Sequence, residues 1–324
     1  MDPNATPTLG LDISKSKVDC VLRLQNEKCK SKVIANSEAG FHTLGAWLAK
    51  QKVEQVHACC EATGTYWEAL AQWLADHGHK VSVVNPARIA AYAKAHNHAR
   101  AKTDKVDARL IATFCAREQP PLWTPQPVEE RVLLALLRRL HDLEQVRQAE
   151  ANRLGVAHPS VRPTIEQHLH FLNQQTAQLK KTIEDHIDRN DNLRGRRDLL
   201  DSIPGLGEAT IPWLLAYLGD GQRFERSKQA VAFAGMAPKV HQSGTLNRKA
   251  HIDKSGHADL RYVLYMPAVA AYRCCKAYAP FVQRLKAAGK PPKVIIVALM
   301  RKLLAIAQAV LKSGQPFNPE LHRA

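Results

Sequence analysis

The stretch TLGLDISKSKVDCVLRL, residues 8–24, decides how the chain begins. Thr8 to Ile13 and Lys17 to Leu24 read as two short strands with a break between them. Lys32 to Ala35 reads as a third. Working outward, Gly40 to Lys50 reads as a helix, with Phe41, Leu44, Trp47 and Leu48 on one face. Val53 to Cys60 is a strand, and Tyr66 to His77 is an amphipathic helix stopped by Gly78. Lys80 to Val84 is a strand closed by Asn85-Pro86, and Lys105 to Arg117 is a second strong helix. The order βββαβαβα predicts a mixed α/β sheet with helices packed on it.

The chain has 324 residues, of which 45% are hydrophobic. That suffices for two or three domains with real cores. No apolar run reaches the roughly 18 residues that span a bilayer. The first ten residues lack a basic segment followed by an apolar one. A cytoplasmic location and no membrane partner are therefore expected. The 7 Cys have neither zinc-knuckle spacing nor an even count, and reduced thiols are expected.

Charge is more informative. The formal net charge is +16, and residues 193–324 carry 21 basic against 8 acidic side chains. An excess concentrated in the last third points to a polyanion, because each neutralised phosphate releases a counterion.

Pro120, Pro121, Pro125 and Pro127 read as a linker. Beyond it, Leu133, Leu136, Leu140 and Leu143, then Ile165, Leu169, Leu172, Leu179 and Ile183, predict an antiparallel coiled-coil hairpin interrupted at Arg147 and Thr176. The last third opens with Ile203-Pro204-Gly205-Leu206-Gly207, the pattern of a helix-hairpin-helix turn. There Gly205 and Gly207 let backbone N–H groups approach a phosphate. Helices follow at 227–235, 258–275 and 292–313, with Pro238 to Lys254 as loop or hairpin. The expected division is 1–120, an α/β metal-dependent unit; 121–192, a spacer or oligomerisation region; and 193–324, a mainly helical nucleic-acid-binding unit.

Two constellations carry chemistry. Asp12 near the end of the first strand, Glu61 after a later strand, and Asp104 and Asp107 at a helix start supply four hard oxygen donors. Such donors suit Mg²⁺ or Mn²⁺ and phosphoryl transfer. Asp19 is a possible fifth acid, read as structural. Separately, Ser243 lies in a flexible loop amid Lys239, Arg248, Lys249, Lys254 and Arg261, a field suited to a hydroxyl attacking a phosphodiester. Lys102, Arg109 and Tyr66 are further candidates near the acids. Alternatives are a metal-only structure-specific nuclease, a sugar kinase or related ATPase, and a non-catalytic nucleic-acid-binding scaffold.

Taken together, the motifs resemble the DEDD-type transposases of the insertion sequence 110 group. The carriers are Gly10-Leu11-Asp12-Ile13-Ser14-Lys15, Glu61-Ala62-Thr63-Gly64-Thr65-Tyr66, Asn85-Pro86, Lys102-Thr103-Asp104-Lys105-Val106-Asp107-Ala108-Arg109 and Ile203-Pro204-Gly205-Leu206-Gly207. Phe233-Ala234-Gly235-Met236-Ala237-Pro238, Ser243-Gly244 and Lys254-Ser255-Gly256-His257 followed by Leu260-Arg261 complete the set. The resemblance implies a RuvC-like form of the ribonuclease H fold, with Asp12, Glu61, Asp104 and Asp107 as metal site. It implies Ser243 as nucleophile through a 5′-phosphoserine intermediate, and DNA as donor and target. It also implies dimers or tetramers and, in one branch, an element-encoded noncoding guide RNA.

Overall fold

A computed structural model describes residues 6–96, 104–239, 242–243, 246–247 and 251–320. The chain divides into two compact units, residues 1–125 and 126–324.

In the first unit, β1 (Thr8–Ile13), β2 (Lys17–Arg23), β3 (Cys29–Ala35), β4 (His57–Glu61) and β5 (Lys80–Val84) form one sheet in the order β3-β2-β1-β4-β5. The first three strands form an antiparallel meander, and β1, β4 and β5 run parallel. Leu9, Leu11, Val18, Cys20 and Leu22 pack with Phe41, Leu44 and Leu48 of α1 (Glu38–Lys50) and with Leu70 and Leu74 of α2 (Glu68–Asp76). On the opposite face, Gly10, Val21 and Cys59 meet α4 (Asp104–Glu118).

The mixed sheet expected from the sequence is present, with three differences. First, β4 begins at His57, not Val53. Second, Asn85-Pro86 both closes a strand and opens α3 (Pro86–Ala95), a helix absent from the expected order. The Asn85 side chain accepts from the Ala87 amide and Pro86 supplies a pre-set first helical turn. Third, the proline-rich segment is bound to this unit. Trp123 N–H donates to the Val81 carbonyl at 2.7 Å, and the buried Ser82 hydroxyl lies 3.0 and 2.9 Å from the carbonyls of Pro120 and Pro121.

The second unit is helical. α5 (Val128–Val156) and α6 (Arg162–Asp188) form the expected hairpin, joined by a short turn at Pro159–Val161. Its base is packed: Leu133, Leu134, Leu137, Ile183 and Ile187 enter the same core as α7 (Asp191–Asp201), α8 (Ile211–Leu218), α9 (Ser227–Phe233), α10 (Ala258–Cys274), α11 (Ala279–Ala287) and α12 (Pro292–Ser313). Thr176 on the seam returns its hydroxyl to the Leu172 carbonyl at 2.7 Å. By length and composition α12 is apolar enough to cross a membrane, although Arg301-Lys302 interrupt its apolar run. Its Leu299, Leu303, Leu304 and Ala307 are wholly buried in this core, so that apolarity is explained by packing. All seven cysteines are free thiols.

Candidate active site

Leu11 of β1 lies opposite Cys60 of the parallel strand β4. Asp12 and Glu61 are the next residues on each strand, so they stand on neighbouring strands, about 5 Å apart, at the carboxyl edge of the sheet. Side chains alternate faces along a strand. Gly10 and Cys59 face α4, and Asp12 and Glu61, two residues on, share that face. Asp104 and Asp107 occupy the first turn of α4, above the same edge. The missing side chain of Gly10 is what lets α4 come so close: a Cβ there would lie 2.0 Å from the Ala108 carbonyl oxygen.

Two neighbours complete this edge: Asp19, which the sequence offers as a fifth acid, and Lys17, which it does not single out. Asp19 lies directly opposite Asp12 in the antiparallel pair and is only 8% exposed. Lys17 donates to Asp104 at 2.6 Å and lies 3.1 Å from Asp19. Burial raises the Asp12 carboxyl above its usual range, and Asp104, Asp107 and Asp19 raise it further against the opposing charge of Lys17. The hydrogen bond to Asp104 leads in pushing the Lys17 ammonium up to about 12, and the same bond holds Asp104 low. The signal for Lys17 was its place two residues before Asp19 on a hairpin whose partner strand carries Asp12. Asn36 adds a positional element. Its Nδ2 donates to the carbonyls of Ser14 and Tyr66, at 2.9 and 3.1 Å, tying the loop after β1 to the loop after β4.

Among the described residues, no three His, Cys, Asp or Glu side chains close into a metal cage. The donors are nevertheless hard oxygens, and at Asp12 the acidic neighbours outweigh Lys17. The set fits Mg²⁺ or Mn²⁺ in kind. Tyr66 and Arg109 are exposed. Lys102 lies outside the described residues.

In the second unit, β6 (Pro238–Lys239) pairs with β9 (His251–Ile252), and β7 (Gln242–Ser243) pairs with β8 (Leu246–Asn247). Ser243 therefore sits on a short hairpin, opposite Leu246. Arg248 and Lys249 lie outside the described residues. The neck of this excursion is tightly held. The amides of Asp253, Lys254 and His257 donate to the carbonyls of Ala237, Gly235 and Phe233 at 3.0, 2.9 and 3.1 Å. A Cβ on Gly256 would lie 2.1 Å from the Phe233 carbonyl oxygen. The sequence places Arg261 among phosphate contacts; the structure commits its Nη1 to the carbonyls of Ala234 and Gly256, both at 2.9 Å, across the two ends of the neck. Lys254 is exposed, and Lys239 is exposed with its ammonium 3.8 Å from Asp253.

Beneath the neck, the Tyr217 hydroxyl donates to Asp259 at 2.5 Å, and the His257 ring lies 4.3 Å from Phe233 and 4.8 Å from Tyr217. Burial first, then Arg223, Arg138 and Arg261, lower the His257 imidazole to about 4, with Asp259 opposing. From about pH 6.5 down to about 4 the unfolded chain takes up a proton here that the folded chain refuses, so stability falls as pH falls through that window. His257→Phe is expected to reduce the loss of Tm between about pH 7 and pH 5; an unchanged pH slope in thermal melts contradicts this assignment.

The Ser202–Gly207 turn connects α7 to α8. Ile203 and Leu206 are buried, the Tyr278 hydroxyl donates to the Pro204 carbonyl at 3.1 Å, and Gly205 has φ +88°. Nothing lies within 4 Å of a Cβ built at Gly205 or Gly207, so both glycines have an open outer side.

Comparison with known proteins gives this arrangement a family. Residues 9–157 match a DEDD-type transposase model, and residues 197–283 match the model described as transposase IS116/IS110/IS902 family. The chain is 38% identical over 320 residues to the pilin gene-inverting protein of Moraxella bovis, covering 97% of this chain and 98% of that protein. The protein of the same name from Moraxella lacunata is equally similar over the same shares. The transposase for insertion sequence element IS1328 of Yersinia enterocolitica is 23% identical over 292 residues, 77% of this chain and 82% of that one. Matched in both units and along its length, the chain belongs to the IS110 family of transposases and is a DNA transposase/recombinase.

Proposed function

We propose that this transposase cuts and rejoins DNA without net hydrolysis, using Ser243 as nucleophile together with a RuvC-like acidic site. The observation that carries the acidic half is the placing of Asp12 and Glu61 on adjacent parallel strands, with Asp104 and Asp107 over the same edge. These residues would hold Mg²⁺ or Mn²⁺, which when bound offsets the charge that builds up on a phosphate under attack. The neck of the Ser243 hairpin supports the other half, because it fixes both ends of the short excursion that carries Ser243.

In the cleavage step the Ser243 oxygen bonds to phosphorus and its proton passes to solvent. The bond from phosphorus to the 3′-oxygen breaks, and that oxygen takes up a proton as a free 3′-hydroxyl. The 5′-phosphate stays on the serine. After exchange, a 3′-hydroxyl attacks the phosphoserine, the serine oxygen leaves and is reprotonated, and the phosphodiester is restored. Lys239, Arg248, Lys249 and Lys254 neutralise phosphates around the serine, and Lys102 and Arg109 do so near the acids. Gly205 and Gly207 offer backbone N–H groups to the duplex.

The Moraxella relatives are named for inverting a gene. Inversion needs every broken bond remade, which supports a conservative covalent route here. We further assign an element-encoded noncoding guide RNA that pairs with donor and target DNA, and a dimer or tetramer as the working form. In this reading residues 1–120 carry the metal-dependent site, 121–192 space or oligomerise the chain through a coiled coil, and 193–324 bear the serine and bind nucleic acid.

The test is a nicked DNA substrate whose product diffuses away, so that covalent protein–DNA accumulates. Wild-type protein is expected to trap on the 5′ end of the cleaved strand. Ser243→Ala is expected to give no adduct and no rejoined product while still binding DNA. A Ser243→Ala protein that still cleaves strands, with no adduct, overturns the proposal in favour of a metal-only nuclease.

A further inference from the structure

α10 is anchored by one face. Leu260, Val263, Leu264, Ala268 and Ala271 are buried in the helical core. Pro267 cannot donate to the Val263 carbonyl. The buried Thr210 hydroxyl donates to that carbonyl instead, at 3.3 Å, so the helix is held firmly where its proline would loosen it.

The opposite face is different. Tyr262 is 62% exposed, Tyr265 46% and Met266 65%. Single exposed apolar residues are ordinary, but three within one turn make a patch that calls for an occupant. Positions 262, 265, 266 and 273 fall on one helical stripe, and Arg273 at its far end is exposed. The Tyr262 ring is braced edge-on by His141 of α5, at 4.8 Å between centroids. The adjacent acid, Asp259, is engaged by the Tyr217 hydroxyl.

Charge selects the occupant. The patch lies in the segment with 21 basic and 8 acidic side chains, and the other ionic groups on α10 are Arg261 and Arg273. A polyanion is favoured over a second basic surface of the same chain. Tyrosine rings offer flat faces to any base at little cost in side-chain freedom, and Tyr262 is already braced. Duplex DNA keeps its bases stacked inside, so only unpaired nucleotides can use such faces. A recombinase that exchanges strands must handle unpaired DNA. We propose that the Tyr262–Tyr265–Met266 face of α10, extended by Arg273, is a stacking platform for the bases of single-stranded DNA. The proposal stands apart from the serine chemistry, because it needs only binding.

The experiment measures fluorescence anisotropy of a labelled thymidine oligonucleotide of about fifteen residues with the full-length protein. Tyr262→Ala/Tyr265→Ala is expected to weaken binding by about thirtyfold or more, since two stacked bases are lost. The slope of affinity against salt is expected to stay unchanged, since no phosphate contact is removed. Affinity for duplex DNA should also hold. Tyr262→Phe/Tyr265→Phe keeps the rings and should bind as the wild type does, which separates stacking from misfolding. Ser243→Ala should bind normally, so failure of the serine reading leaves this one standing. Unchanged single-strand affinity overturns the platform, as does an equal loss for duplex. A shift in oligomeric state by light scattering in the double-alanine protein would make the patch an interface between copies instead. A uridine oligonucleotide that depends more on the tyrosines than the thymidine one overturns the choice of DNA.

Discussion

Asp12→Asn is expected to slow DNA strand cleavage by about a thousandfold or more, the scale at which a preorganised electrostatic group is lost. Asp12 is the only one of the four acids that stands on β1, between Glu61 on the neighbouring strand and Asp19 directly opposite. It carries the strain of the site. Burial and then Asp104, Asp107 and Asp19 disfavour its charged form. Neutralising it removes repulsion that folding must overcome, so the variant is expected to melt at or above the wild-type temperature. Loss of cleavage without loss of stability is the signature of a functional group maintained against its surroundings. A chelator of divalent cations is expected to reproduce the cleavage defect in the wild-type protein. If Asp12→Asn cleaves at wild-type rate, the acidic edge is structural and the proposed chemistry fails. Lys17 gives an internal control, since its bond to Asp104 neutralises part of the same charge.

Gly10→Val is expected to destabilise the first unit by at least about 3 kcal/mol, the upper range for overpacked sites. The first added carbon would lie 2.0 Å from the Ala108 carbonyl oxygen and 2.4 Å from the Ala112 amide nitrogen, so backbone, not a yielding side chain, is in the way. α4 cannot simply back off. Ala108 and Ala112 are fully buried, and the Thr8 hydroxyl donates to the Ala112 carbonyl at 3.0 Å. A shift would also carry Asp104 and Asp107 away from Asp12 and Glu61. Thermal melting should show a transition lowered by roughly 10 °C, and Gly10→Ala should move it the same way by less. A melting curve unchanged by Gly10→Val would mean that α4 does not pack on β1 as described. Gly155→Ala, near the end of α5 with nothing within 4 Å, is the contrasting case. There the substitution is expected to be neutral or stabilising by about 0.5–1 kcal/mol.

Much of the first unit was legible because its signals are local. The alternation in residues 8–24 gave β1 and β2, and Lys80 to Val84 was read with the bounds the structure has. The helix at 292–313 was equally clear from its periodicity. What was missed had weak or double-valued signals. Asn85-Pro86 is both a strand end and a helix start. The α7 and α11 segments are short, and their burial is supplied by distant partners such as Leu133 and Ile295. The proline-rich stretch looks like a free linker by composition, yet its carbonyls lie beside a buried serine hydroxyl on β5.

By itself the sequence determined the order of the five sheet strands and of the long helices, the four acids at strand and helix ends, the basic last third and the position of Ser243 between glycines and cations. These follow from spacing and composition, which act over a few residues. Only the tertiary structure decided that Lys17 bonds Asp104 across 87 positions, that Arg261 clamps a loop neck, and that one face of α10 stays uncovered. Each is set by which side chain reaches a given atom once distant segments pack, and no local pattern encodes that distance.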